Sequence, residues 1–289
     1  MTNRDGNGWT RCGRGHRHWG RHGAAGLLLS APDEAGRQTV LLQQRSWWGS
    51  YAGAWGPPGG ARDSHESVMR AALREAIEEC AIDPRSVRVH GVATDDHGGW
   101  TYQTVLASTA APLAAAAVSE ETSEVAWVPV AEVERLRLHP GFAGQWPVLR
   151  TALAPLTVIV DTANVMGSRP DGWWRDRAAA ARRLHGQIEG LAMSGVTDLP
   201  DSVQAAAVDR WFPRFIMVLE GAATAGAEED STDRQVRIVR ASGSGDDEIV
   251  RQAMTAGARL VVTADRELRG RCEAVGAAVV GPRWLLGLL

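Results

Sequence analysis

Lysine is missing from this chain of 289 residues, so all 31 basic side chains are arginines, and the formal net charge is only −3. That balance excludes a chain-wide nucleic-acid polycation, although local basic surfaces remain. Cysteine is scarce as well. Cys12, Cys80 and Cys272 are scattered, form no paired framework and suit a reducing compartment. Long apolar runs are absent: the longest, at residues 23–29 and 284–289, fall far short of the roughly 18–20 residues of a membrane span. No signal-peptide core is present either, so a cytoplasmic protein without a membrane partner is expected. What remains is ordinary globular material, 44% hydrophobic and 22% charged, in a chain long enough for two domains.

Residues 1–22 are polar and glycine-rich, without periodicity, and read as a basic flexible arm carrying Arg4, Arg11, Arg14, Arg17 and Arg21. Within it Cys12, His16, His18 and His22 have side chains suited to zinc, but not in the paired spacing of a closed structural site. The expected role is a tail that steers anionic substrates. Residues 23–150 follow in mixed α+β order. Apolar runs at 25–30 and 39–43 flank a turn, a Trp-, Gly- and Pro-rich loop covers 47–60, and a helix is expected over 64–80. Strand-like runs follow at 87–92, 102–107 and 124–128. After a linker at 151–156 the pattern changes. Wholly apolar runs at 157–160, 215–219, 236–239, 260–263 and 277–280 alternate with helical or loop sequence, which predicts a parallel sheet covered on both faces over 157–289.

The 64–80 helix carries the first chemical pattern. Asp63 or Ser64 can cap it, with Glu66 placed as in a capping box. Met69, Leu73, Ala76, Ile77 and Cys80 make one apolar stripe, the expected core face. Glu75, Glu78 and Glu79, at i, i+3 and i+4, crowd roughly opposite it. Three like charges so close repel, and a hard divalent cation such as Mg²⁺ would neutralise them. The loop Pro57-Pro58-Gly59-Gly60 lets backbone approach the same place. A merely solvated acidic face is the alternative.

From Gly60 through Glu66 to Arg74-Glu75-Ala76-Ile77-Glu78-Glu79-Cys80-Ala81-Ile82, the sequence resembles the signature of the Nudix hydrolases, with Ala81 where the family has glycine. The resemblance covers about residues 23–150 and implies an α/β/α sandwich around a mixed sheet. It further implies that Glu75, Glu78 and Glu79, helped by the Gly60 carbonyl, hold Mg²⁺ (or Mn²⁺) while Arg74 and Glu66 brace the loop. The implied reaction is attack of water on a phosphorus of a nucleoside diphosphate-linked substrate. Glu121 or Glu124 could supply a distal base or serve as ordinary surface acids. Homodimers are common in the family, which makes a homodimer an expectation here. Trp47, Trp48, Trp100 and Tyr102 could stack a base, with core packing the competing reading, and Trp55 would prop the loop. Arg45 could contact phosphate or pair at the surface.

In the distal half, acids stand at carboxyl ends of strands, where doubly wound sheets place their sites. Asp161 and Asp265 end apolar runs, and Asp246 and Asp247 open a helix. This arrangement resembles the PIN-like nucleases of the NYN branch, over about residues 156–289. The fold implied is a three-layer α/β/α domain with a parallel sheet. Asp161, Asp246 or Asp247, and Asp265 would be metal-site acids that activate water to cut RNA, with Asn164 orienting them, and Thr162 replaces a common glycine. The acids could instead be helix caps. Arg169, Arg175 and Arg177, interleaved with Trp173 and Trp174, could hold a phosphate backbone.

Together these readings give a Mg²⁺-dependent pyrophosphohydrolase, acting on a substrate such as 8-oxo-dGTP or another nucleoside triphosphate, fused to an endoribonuclease. RNA 5′-end processing is one rival, and a distal domain that binds RNA or protein without cutting is another.

Overall fold

The computed structural model describes residues 4–48, 50–203, 208–226, 235–255 and 257–289. The chain divides into two compact units, one of Met1–Leu153 with Ala205–Asp209, the other of Ala154–Gln204 with Arg210–Leu289. Among the described residues no helix is long and apolar enough to cross a membrane.

The first unit opens not with a free arm but with a hairpin, β1 (Trp9–Arg11) against β2 (Arg17–Trp19), antiparallel with Thr10 opposite His18. The expected flexible tail is therefore corrected, and the cause lies in contacts far along the chain. Trp100 Nε1 donates to the Gly20 carbonyl at 2.8 Å, Gly6 N–H to Asp63 Oδ1 at 2.7 Å, and Ser64 N–H to Asp5 Oδ1 at 2.9 Å. A polar stretch with no apolar periodicity of its own is ordered by partners that periodicity cannot reveal.

A mixed sheet follows. β3 (Ala24–Pro32) pairs antiparallel with β4 (Gln38–Arg45) through a turn in which Asp33 Oδ1 accepts the N–H groups of Ala35 and Arg37. β5 (Trp55–Gly56) runs beside β4, and β6 (Gly59–Ala61) beside β3. β7 (Arg88–Asp96) and β8 (Thr101–Ser108) form a second hairpin whose β8 lies parallel to β3, and β9 (Thr122–Pro129) closes on β4. Leu27, Leu28, Leu29, Leu41, Leu42 and Leu106 fill the core at full burial.

Helix α1 (Val68–Cys80) packs on β3. It starts later than its sequence suggests, because Ser67, not Asp63 or Ser64, is its cap and accepts from Arg70 N–H. Its buried face also differs: Ala71, Ala72, Ala76, Glu79 and Cys80 face inward, while Ile77 is 42% exposed. Small alanines let the helix lie close to the sheet, which turns the acidic edge toward Gly59 and Gly60 instead of outward. Helix α2 (Pro140–Leu149) completes the unit with Trp146 and Leu149 buried. The expected linker is packed at its start, since Ala152 and Leu153 are buried, and Leu156 already belongs to the next strand.

The second unit is a five-stranded parallel sheet in the order β13-β12-β10-β14-β15. Its strands are β10 (Leu156–Asp161), β12 (Arg214–Leu219), β13 (Val236–Arg240), β14 (Ala258–Val262) and β15 (Ala278–Val280), while short β11 (Arg210–Trp211) bridges to Val196. Parallel pairing requires crossovers, supplied by α3 (Thr162–Gly167), α4 (Arg177–Ser194), α5 (Gly245–Ala253) and α6 (Arg266–Ala274), with α7 (Pro282–Leu288) last. Ile159, Val218, Ile249, Val261, Leu268 and Cys272 share one core.

Candidate functional site

On α1 the acidic residues are tied together by arginine. Arg74 grips Glu66 with two parallel bonds, Nε to Oε1 at 2.8 Å and Nη2 to Oε2 at 2.9 Å. The same guanidinium donates to the Ala61 carbonyl at 2.9 Å, to Glu75 Oε1 at 2.6 Å and to Glu78 Oε2 at 3.3 Å. Glu66 also accepts Asp63 N–H, and the Arg74 bonds hold its carboxyl below the usual range. Arg74 thus fixes the loop of β6 and the acidic helix edge in one geometry. Arg4, from the segment before the hairpin, donates to Glu78 Oε1.

Glu79 is the most deeply placed of the three, at 6% exposure. Its Oε2 accepts Gln43 Nε2 at 2.7 Å and Gly59 N–H at 2.8 Å. Burial, followed by the nearby negative charge of Glu75, pushes its carboxyl up to about 8. Glu75 is raised too, first by burial, against the pull of Arg74. Gly60 has its own reason to be glycine: a Cβ there would lie 2.7 Å from the Glu75 carboxyl. Clustered carboxylates that resist ionisation, beside a backbone cradle only glycine leaves open, are a hard-oxygen donor set that fits Mg²⁺ or Mn²⁺. Glu75, Glu78, Glu79 and the Gly60 carbonyl would hold such an ion.

Of the two acids considered as a distal base, Glu121 lies close enough for its charge to raise Glu79, whereas Glu124 stands opposite Gln44 in the β4–β9 ladder. Gln43 was not anticipated. It accepts Thr122 Oγ1–H with one end of its amide and donates to Glu79 with the other. The available signal was a glutamine directly following the apolar run Val40-Leu41-Leu42.

The aromatic residues separate cleanly. Trp47 is 85% exposed and Trp48 55%, so both present free faces. Trp100, by contrast, is buried, hydrogen-bonded to Gly20 and stacked on His18 at 3.9 Å, so the expected base-stacking face is already covered. Tyr102 is likewise corrected: a Cβ at Gly59 would lie 2.8 Å from its hydroxyl, which packs the ring under the loop, and burial raises its hydroxyl pKa. Trp55 is buried and props the loop. Arg45 donates Nε–H to the Ser50 carbonyl at 2.8 Å, which ties the tryptophan loop to β4.

In the second unit, acids gather at the carboxyl ends of the parallel strands. Asp161 caps α3: Oδ1 accepts Asn164 N–H at 3.0 Å and Oδ2 accepts Thr263 Oγ1–H at 2.8 Å. Burial raises its carboxyl, and the charges of Asp246 and Glu220 add to the shift. Asp246 is raised by burial and then by Asp265 and Glu220. Asp265 caps α6 through Leu268 N–H at 2.9 Å, and Asn164 Oδ1 accepts Ala264 N–H at 2.9 Å, joining the ends of β10 and β14. Asp247 departs from the group. Its side chain is 72% exposed and paired with Arg271, so of the two adjacent acids it is Asp246 whose charge acts on Asp161. Glu220, which the sequence reading does not single out, joins this end of the sheet just after β12 and accepts Gly245 N–H at 3.0 Å.

Residues 20–151 match the NUDIX domain. A Mycobacterium tuberculosis protein named "Putative 8-oxo-dGTP diphosphatase 3" is 45% identical over 160 residues, 53% of this chain and 72% of that protein. The "Nucleoside triphosphate pyrophosphatase/Nudix hydrolase fusion protein" of Bifidobacterium longum is 40% identical over 149 residues, 49% of this chain and 30% of that one. Among solved structures, the Nudix hydrolase RenU from M. smegmatis is 44% identical, covers 51% of this chain and 94% of its own, and superposes with a TM-score of 0.48. The chain belongs to the Nudix hydrolase family. The shared sequence lies in the first unit, where the arginine-bound carboxylate cluster stands.

Proposed function

We propose that the first unit is a divalent-metal-dependent pyrophosphohydrolase of nucleoside triphosphates, with 8-oxo-dGTP the leading substrate, and that the second unit is a PIN-like, NYN-type endoribonuclease. The observation that carries the first half is the buried Glu79, fixed at one oxygen by Gln43 and Gly59 and raised by its neighbour Glu75. Mg²⁺ held by Glu75, Glu78, Glu79 and the Gly60 carbonyl supplies charge neutralisation on the diphosphate. The protein's own groups do the rest. Arg74 keeps the carboxylates in register, and Glu79, held at Oε2, presents Oε1 to take the proton of the attacking water. The water oxygen bonds to the α-phosphorus, the bond from that phosphorus to the α–β bridging oxygen breaks, and the products are a nucleoside monophosphate and inorganic pyrophosphate. Exposed Trp47 and Trp48 supply stacking faces for a base. The substrate choice rests on the name of the M. tuberculosis relative.

The distal reading rests on Asp161, Glu220, Asp246 and Asp265 gathering at one end of a parallel sheet, where burial and the neighbouring acids raise the carboxyls of Asp161 and Asp246. The test is product analysis of the intact protein with Mg²⁺ on 8-oxo-dGTP, ordinary nucleoside triphosphates and RNA with a 5′ triphosphate. Turnover of 8-oxo-dGTP to the monophosphate, lost in Glu79→Gln, is expected, and unchanged turnover in that variant overturns the first half. Internal cleavage of RNA, lost in Asp161→Asn, is expected of the second, whereas RNA retained without shortening makes that unit a binding module. Preference for the RNA 5′ end over free nucleotides would make the first unit an RNA-end enzyme.

A further inference from the structure

The N-terminal hairpin and the turn between β7 and β8 meet at a cluster that the hydrolase chemistry leaves unused. Cys12, His16, His18 and His97 each bring one ligand atom into a group whose members all lie within 4.8 Å of one another. In a tetrahedral zinc site such atoms are about 3.3–3.6 Å apart, so closing onto an ion needs movements of roughly 1 Å. Three features make this a built site. Cys12 is buried with a free thiol, and its N–H donates to the His16 carbonyl at 3.0 Å while Gly15, at φ 81°, donates back to Cys12, so thiol and imidazole share one tight turn. His18 Nε2 and His97 Nδ1 are buried atoms with no hydrogen-bond partner among the described residues. Buried imidazole nitrogens are rarely left so. His97 Nε2, finally, faces Asp95 Oδ2 at 3.1 Å. A histidine oriented by a carboxylate on one nitrogen, with the other turned inward, is the arrangement that metal-binding histidines adopt.

We propose that Cys12, His16, His18 and His97 bind one Zn²⁺ that staples the N-terminal hairpin to the β7–β8 turn. One thiolate and three imidazoles form a closed, four-ligand set of the softness zinc prefers over Mg²⁺. The two-stranded hairpin has almost no core of its own, so a metal is the natural clamp, aided by the Gly13 N–H to Gly98 carbonyl bond and the Arg14 bond to the Asp96 carbonyl. The clamp is remote in sequence from the carboxylates of α1, yet it steadies the segment from which Arg4 reaches Glu78. His22, part of the same histidine-rich stretch, takes no share, since it faces Asp5 instead.

The test is metal analysis of the full chain, purified without chelator after growth with zinc. About one zinc per chain is expected, and replacing it with Co²⁺ should give the intense visible bands of a tetrahedral site together with a thiolate-to-metal charge-transfer band. Cys12→Ser should lose the thiolate band, His97→Ala should lose zinc on gel filtration, and Asp95→Asn should weaken zinc roughly 10–100-fold. His22→Ala should leave zinc content unchanged. Cobalt held at the α1 carboxylates would show no thiolate band, which separates the two sites even where a variant fails to fold. A wild-type chain that takes up neither zinc nor thiolate-ligated cobalt overturns the proposal, as does zinc loss in His22→Ala equal to that in His97→Ala.

Discussion

The two acidic clusters of this molecule are assembled by opposite means. On α1 the carboxylates are managed by arginine: Arg74 alone contacts Glu66, Glu75 and Glu78, and Arg4 adds a second contact to Glu78. At the parallel sheet the acids are managed by backbone N–H groups and a threonine, as caps of α3 and α6, and an arginine contact, Arg271 with Asp247, draws that acid out of the group. An arginine-braced cluster keeps its shape because one planar cation fixes several partners. A cap-based cluster keeps its shape because helices and strands do. The first therefore depends on single side chains, and the second on the fold.

That contrast can be broken most sharply by exchanging its readouts. Glu79→Gln is expected to lower pyrophosphohydrolase turnover by about 10²–10⁴-fold while leaving any RNA cleavage within about twofold. Asp161→Asn should do the reverse, and loss of both activities in either variant would show that the clusters are not independent. Next in size, Arg74→Ala should cost about 3 kcal/mol in urea unfolding of the first unit, because Glu66, at 8% side-chain exposure, loses its only cation partner among the described residues. No single change at Thr263 should cost the distal unit as much.

Smaller again is a dependence on pH. Glu79 ionises near 8 in the folded chain against 4.5 ordinarily, so the folded state holds the extra proton between those values. Stability from this group is therefore full below about pH 4.5 and is lost as pH rises through 8. In metal-free buffer the melting temperature should fall over that window. Added Mg²⁺ should flatten the fall, and Glu79→Gln should abolish it. The smallest expected effect concerns Ala81, which sits at φ 55°, a left-handed position closing α1. Ala81→Gly should stabilise by about 1 kcal/mol, and an unchanged midpoint would mean the turn relaxes at no cost.

Much of this was legible in the residues. Glu75, Glu78 and Glu79 are fixed relative to one another by helical spacing, so the acid cluster follows from sequence, whereas the pairing of Arg74 with Glu66 was implied only by the family resemblance. The burial of α1 does not. Whether Ile77 or Glu79 faces inward depends on how closely alanines let the helix approach β3, which is a tertiary fact. The apolar runs at 157–160, 215–219 and 260–263 announced a parallel sheet, and the rule that placed Asp161 and Asp265 at strand ends applied equally to Glu220. The hairpin was illegible for a different reason. Its order comes from Asp63, Ser64, Gly98 and Trp100, distant in the chain, and His97 joins the histidines only because two turns meet.

The contact between Arg4 and Glu78 has a practical side. Because Arg4 lies against the acidic edge of α1, a polyhistidine tag fused at the N-terminus would offer imidazoles close to a cluster that already has three. Purification through a C-terminal handle, with N-terminally tagged protein as the comparison, would show whether any metal that co-purifies belongs to the protein or to its tag.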